Sequence, residues 1–143
     1  MTGRTRLAGS DRGSAAVELV LLTPLLVLVM LVVVAFGLLA DARLVVNDAA
    51  HQAARAASLA RTEGAARSDA QKAARAALHA AGASCAHPQV RVRTGHLQPG
   101  ATVTAHVTCT ADLGHLSGTG LPGHVPVDGT AYSVIDTYRS AIS

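Results

Sequence analysis

LVLLTPLLVLVMLVVVAFGLLA, residues 19–40, is the stretch that decides the fold of this 143-residue chain. Nineteen of its 22 residues are apolar and none is charged, the exceptions being Thr23, Pro24 and Gly37. As an α-helix it would be roughly 33 Å long, enough to cross a hydrocarbon core of about 30 Å. Pro24 lies near its start, where a missing amide donor disturbs a helix least. The stretch therefore predicts one transmembrane helix.

The rest of the chain is poor in large apolar side chains. Of the 52 apolar residues outside the stretch, 27 are alanine, and the chain has no tryptophan. Its aromatic residues are Phe36, Tyr132 and Tyr138. So few bulky groups cannot fill the core of a sizeable soluble enzyme, and they provide no stacking platform for nucleic acid. The formal charge of +3 is modest, and the arginines that follow the stretch are interpreted as a solvated helix face.

The residues before the apolar stretch are basic. Arg4, Arg6 and Arg12 stand against Asp11, and arginine close to a membrane helix tends to remain in the cytoplasm. This bias predicts a cytoplasmic N-terminus and an extracytoplasmic C-terminal region.

Glu18 stands directly before the apolar stretch. A carboxylate at this position costs a few kcal/mol to insert, and a simple anchor would gain nothing from it. Cleavage after Gly13 would create a free α-amine on Ser14, four residues before Glu18. Residues i and i+4 share a helix face, so the amine could pair with Glu18 within one chain or between neighbouring helices. A glycine before the cut also allows a peptidase close access to the backbone.

Two other interpretations of the apolar stretch stay open. A secretory signal peptide would end at a small-x-small exit, which Ala40-Asp41-Ala42 supplies, although its apolar region is normally only about 7–15 residues long. A plain single-pass anchor would keep the whole N-terminus intact. In either case the remainder would be a small anchored or secreted binding module.

RGSAAVELVLLTP (residues 12–24) and ADARLVVNDAAHQAARAASLAR (residues 40–61) resemble the TadE-like family of pilus-assembly proteins. Members look like type IV pilins at their start and are similar to substrates of a prepilin peptidase. The resemblance implies that Gly13 precedes the cut, that Ser14 is the new N-terminus and that Glu18 is the fifth-position glutamate. It further implies a minor pilin or pseudopilin of a tight-adherence (Flp-type) pilus or a related secretion system.

The residue patterns and the resemblance together predict the partners and the division of the chain. Partners would be the lipid bilayer and, by resemblance, a prepilin peptidase and other pilin-like subunits or pilus machinery; the composition predicts no nucleic acid. Residues 1–13 would be a cytoplasmic basic leader and residues 14–40 a transmembrane assembly helix. Residues 41–82 would form alanine-rich extracytoplasmic helices, and residues 83–143 a small β-rich extracytoplasmic domain.

The alanine-rich region after the membrane is predicted to be helical, because alanine has the highest helix propensity and no proline interrupts residues 41–82. A break is expected at residues 62–64, a capping box at residues 68–71 and a stop at Gly82. Alanines recur every fourth residue on two faces. Such faces either allow close helix packing in an assembly or reflect composition alone; they comprise Ala49, Ala53 and Ala57, and Ala50 and Ala54.

Beyond Gly82 the hydrophobic period changes from that of a helix to that of a strand. Residues 89–93 and 101–109 alternate, and the turn signal at residues 98–100 makes them an antiparallel pair. A glycine-rich loop is expected at residues 114–123, and a last strand at residues 130–138 after an Asp128-Gly129 turn. The predicted fold class is α+β: a long transmembrane helix, alanine-rich helices and a three-stranded antiparallel, pilin-like sheet that the preceding helix covers.

The remaining reactive side chains favour a structural role. Cys85 and Cys109 are the only cysteines, and outside the cytoplasm a disulfide is their natural interpretation, with metal ligation or catalysis as alternatives. The seven histidines show no metal-ligand spacing, and His106 should lie on the polar strand face. No nucleophile elbow, Walker loop or dinucleotide fingerprint occurs. We therefore predict no catalytic residue, no metal and no cofactor.

Overall fold

A computed structural model of the chain describes residues 12–83, 85–112 and 123–138. Two helices precede three strands, which confirms the predicted α+β class. The elements are α1 (Arg12–Leu59), α2 (Glu63–Ala80), β1 (Cys85–Arg93), β2 (Thr102–Asp112) and β3 (His124–Val134), with a single 3-10 turn at Gly95–Leu97 between β1 and β2. The glycine-rich loop predicted at residues 114–123 lies, except for Gly123, outside the described residues.

The chain divides into two compact units, residues 1–37 and residues 38–143. In the first unit α1 exposes all of its described side chains. Pro24 lies well inside α1, not near its start, because the helix begins at Arg12 and takes in the residues before the apolar stretch. Proline lacks an amide hydrogen, so the carbonyl of Val20 loses its usual helical partner. One residue earlier, the Thr23 hydroxyl donates to the carbonyl of Leu19 at 2.7 Å.

The second unit begins with the alanine-rich part of α1, which ends close to the predicted break. The start of α2 differs from the prediction. The helix begins at Glu63, where the side chain of Thr62 caps it by accepting a hydrogen bond from the amide of Ala65 at 3.2 Å. The capping box expected at residues 68–71 is wrong, because those residues lie inside α2. Gly82 follows the helix with a φ of 63°, as expected of a C-terminal glycine.

The three strands form an antiparallel sheet in the order β1-β2-β3. Val107 of β2 lies between Val90 of β1 and Gly129 of β3. The predicted start of the last strand at residue 130 is wrong, since β3 already begins at His124. Asp128 and Gly129 are paired within the strand and do not form the turn that their sequence suggested.

The core lies between one face of the sheet and the two helices, so the sheet is covered as predicted. The two alanine rows of α1, Ala49, Ala53 and Ala57 together with Ala50 and Ala54, are fully buried in it. Both rows are therefore occupied within the chain and are not free faces for packing in an assembly. On α2 the buried residues recur every fourth position at Ala66, Ala70, Ala74 and Leu78.

Gly129 marks a close approach between α1 and the sheet. A Cβ atom at this position would lie 2.8 Å from the Cα of Asn47 and 2.8 Å from the carbonyl oxygen of Val46. Both are backbone atoms of a helix, which cannot move aside as a flexible side chain can. The helix therefore packs directly on the backbone of β3, and only glycine fits there.

We expect Gly129→Ala to lower the free energy of unfolding by about 1–3 kcal/mol, because the added methyl group must push α1 away from the sheet. Gly64→Ala is the matched control. Gly64 lies in the first turn of α2 with open space around it, so alanine should be neutral or stabilise by up to about 1 kcal/mol. Denaturant unfolding of the full chain in detergent micelles measures both variants. Equal effects of the two substitutions would contradict the close contact.

Candidate functional site

The first unit contains a helix that is apolar and exposed all round. The best 18-residue window in α1 has a mean hydropathy of 3.1, and none of it is buried. Leu21 is 71% exposed and Met30 68% exposed, values that a water-soluble domain would not sustain over so many residues. By length and composition this helix can cross a membrane. The predicted transmembrane helix is consistent with that geometry.

The predicted processing and assembly residues lie at the beginning of the same helix. Gly13 and Ser14 are in the first turn of α1, and Glu18 follows one turn later with an exposed side chain. Between Glu18 and Asp41 the helix carries no charged residue. The structure thus presents one carboxylate at the edge of a long apolar surface. Of the basic leader, residues 1–11 are outside the described residues.

The two cysteines form a disulfide. Cys85 of β1 and Cys109 of β2 are bonded, with their Cα atoms 5.5 Å apart. Cys85 pairs with Ala111 in the sheet, so the bond runs diagonally between adjacent strands. Cys109 is buried on the inner face with 6% exposure. The bond closes a loop across the β1–β2 hairpin and leaves β3 outside that loop.

A polar cluster that the sequence did not suggest joins the start of α2 to the end of β1. The carboxylate of Glu63 accepts a hydrogen bond from the hydroxyl of Thr94 at 3.4 Å and lies 4.0 Å from Nδ1 of His96. Arg67, one turn further along α2, lies 3.5 Å from the other carboxylate oxygen. Thr94 is buried, whereas Glu63, Arg67 and His96 are exposed. No sequence signal pairs residues 31 positions apart.

The histidines in the described part of the chain are dispersed. His106 lies on the polar face of β2 as predicted, and its Nε2 atom is 3.8 Å from Oδ2 of Asp128 on β3. Among the described residues there is no group of three or more His, Cys, Asp or Glu side chains that could hold a metal ion. Arg55, Arg61 and the basic residues of α2 are exposed, as a solvated helix face requires.

The comparison with known families decides how the N-terminal segment is interpreted. Residues 13–55 match the family of TadE-like proteins. The N-terminal segment is TadE-like. The match begins at Gly13, includes Glu18 and the whole apolar stretch, and ends at Arg55, so it confirms the resemblance predicted from the sequence. It is consistent with a component associated with Tad-type pilus machinery.

The TadE-like match covers 43 of the 143 residues and does not reach α2 or the sheet. No curated protein and no solved structure matches the chain. The match therefore comprises the apolar stretch and the alanine-rich part of α1 as far as Arg55, and it covers no residue of the sheet.

Loss of the disulfide should destabilise the second unit. With a sequence separation of 24, the loop-entropy relation gives a contribution of about 3 kcal/mol. In denaturant unfolding, the free energy of unfolding of the oxidised chain should exceed that of the reduced chain by this amount. It should exceed that of the Cys85→Ser/Cys109→Ser variant by the same amount. Alkylation of both thiols in a sample that was never reduced would contradict the bond.

Proposed function

We propose that this chain is a structural subunit, a minor pilin or pseudopilin of a Flp/Tad-type pilus or a related secretion system. It is cleaved after Gly13 and packs against other subunits through its N-terminal helix. The observation that carries this proposal is the exposed carboxylate of Glu18 at the edge of an apolar helix segment whose described side chains are exposed up to Gly37, inside the residues that match the TadE-like family.

The energetics of Glu18 favour an assembly role over a simple anchor. A single acidic residue near the centre of a bilayer costs about 2.5–3.5 kcal/mol on insertion scales, and less towards the edge. In the described residues no basic side chain lies within ion-pair distance of Glu18. An α-amine at Ser14 would compensate the charge, because it would lie about one helical turn away, on the same chain or on a neighbouring helix.

The location of the Gly13–Ser14 bond also supports cleavage. The bond lies in the first turn of α1, where backbone amides have no helical partner and the helix frays most easily. A peptidase can therefore reach the bond without unfolding the apolar part of the helix. Glycine on the leaving side adds no side chain that would obstruct it.

The proposed topology places the N-terminus in the cytoplasm and the second unit outside. The arginines of the leader favour retention on the cytoplasmic side. The Cys85–Cys109 disulfide supports an oxidising location for the sheet. The bilayer, a prepilin peptidase and other pilin-like subunits are the proposed partners, and we propose no catalytic activity for the chain.

N-terminal sequencing of the protein purified from its native membrane tests the processing step. We expect Ser14 at the mature N-terminus, and Gly13→Val should leave the precursor uncut because the bulkier residue restricts access to the backbone. Gly9→Val, a matched change within the leader, should be processed normally. A mature chain beginning at Arg43 would indicate a signal peptide, and an intact N-terminus would indicate a plain anchor.

Substitution of Glu18 tests charge pairing separately from processing. We expect Glu18→Gln and Glu18→Ala to be processed and inserted but to lose at least tenfold in cross-linking to neighbouring pilus subunits, since the amine loses its partner. Asp41→Asn, which removes an exposed acid at the other end of the apolar stretch, is the matched control and should assemble normally. Unchanged cross-linking of both Glu18 variants would refute charge pairing even if Ser14 is the mature N-terminus.

A further inference from the structure

Two open depressions follow each other along the second unit between α1 and β3, and we treat them together as one groove that the proposed function does not use. At one end it lies between Arg43 and Asn47 of α1 and residues 128–130 of β3. One turn further along the helix it lies between His51 and Arg55 and residues 132–133. The contact of Gly129 with Asn47 and the hydrogen bond from Ser133 to Ser58, 3.1 Å long, close its floor. We call this feature the α1–β3 groove.

One wall of the α1–β3 groove is the edge of the sheet. β3 pairs with β2 along its whole length, from His124 to Val134. Within residues 12–83, 85–112 and 123–138, no strand pairs with its other side. An edge strand presents a row of backbone donors and acceptors that can hydrogen-bond an additional extended chain.

The other wall of the groove is basic. Arg43 lies two turns before His51 on α1, Arg55 lies one turn after it, and all three side chains are exposed. On the opposite wall, Asp128 of β3 also lines the groove, and its Oδ2 atom lies 3.8 Å from Nε2 of His106 on β2. The helix wall therefore offers two exposed guanidinium groups that can pair with carboxylates of an occupant.

The strand wall sets the length of a segment that could pair with it. From Ala40 to Leu59, α1 rises about 28 Å, whereas the lining residues of β3, from Asp128 to Ser133, extend about 17 Å. A segment with about six paired residues fits the strand wall. In such a segment alternate side chains point the same way, so acidic residues at every second position would all face the helix.

We propose that the α1–β3 groove binds an extended acidic segment of a partner protein. The segment adds to the free edge of β3 as a fourth strand, and its carboxylates pair with Arg43 and Arg55. Main-chain hydrogen bonds to β3 provide affinity, and the basic helix wall selects acidic over basic segments. The groove lies in the second unit and does not depend on cleavage at Gly13.

The probe for this proposal is an eight-residue peptide of alternating threonine and glutamate, capped at both ends and fluorescently labelled. Its anisotropy is measured with the full chain in detergent micelles. Replacing glutamate by lysine should weaken binding at least tenfold. The Arg43→Glu/Arg55→Glu variant should also bind at least tenfold less, whereas Arg67→Glu/Arg75→Glu, which makes the same charge change on the exposed face of α2, should bind within about twofold of wild type.

Two N-methylated peptides test whether the segment pairs as a strand. One carries N-methyl groups on its odd residues and the other on its even residues. Since alternate amides of a strand point to opposite sides, only one of the two should lose binding, again at least tenfold. Equal binding of both, or equal loss, would overturn strand addition and leave only charge attraction.

Three other results would also overturn the proposal. The first is no binding of the threonine–glutamate peptide to the wild-type chain. The second is a stable dimer of the full chain that the peptide does not dissociate, since β3 of a second copy would then occupy the groove. The third is loss of peptide binding in nanodiscs of anionic phospholipid but not in nanodiscs of zwitterionic phosphatidylcholine, which would assign Arg43 to anionic lipid headgroups.

Discussion

The fold of the second unit depends on the direct contact between the backbone of α1 and the backbone of β3. This contact exists because Gly129 has no side chain and because the facing part of the helix is largely alanine. In the described part of the chain, 12 of the 19 buried hydrophobic residues are alanine. A core of such small side chains fills space only if its backbones lie close together. Close packing gives these small side chains many short-range contacts, and the contacts compensate for the large side chains that the sequence lacks.

The surface of α1 changes in character along its length. Up to Gly37 its side chains are exposed at every described position, which suits a hydrocarbon environment. From Leu38 onwards it alternates between buried alanines and exposed polar groups such as Asp48 and Gln52. The TadE-like match spans both parts without a break. The match thus covers both the exposed apolar part and the partly buried part of one helix, and it covers none of the sheet.

The sequence predicted the elements whose signals are local. The composition of residues 19–40 predicts the apolar helix, and the two-residue hydrophobic period predicts the strands. The extracytoplasmic location expected for the C-terminal region predicts the disulfide between Cys85 and Cys109. The start of α2 was placed wrongly because Ser68 and Gln71 form a good capping pattern, while the structure caps the helix with Thr62. Asp128-Gly129 resembles a turn, yet the glycine is required by a helix 82 positions earlier in the chain. No local rule contains that contact.

The functional residues were also predictable only where their signal is local. Glu18 was found because a charge beside an apolar stretch is visible in the sequence. The α1–β3 groove and the Glu63 cluster were not, because each brings together residues of distant elements. The alanine rows illustrate the difference most clearly. Their spacing suggested a surface for other helices, but only the three-dimensional structure reveals that the sheet and α2 already cover them.

The position of Gly129 has a consequence for the order of events during synthesis. The β1–β2 hairpin ends at residue 112, whereas β3, which contacts α1 through Gly129, is made later. Until β3 is in place, the part of α1 that Gly129 contacts lacks this cover. Alanine exposes less apolar surface than leucine, so the incomplete core offers little to other unfolded chains. A core built from alanine thus lowers the risk of wrong contacts before the covering strand has folded onto it.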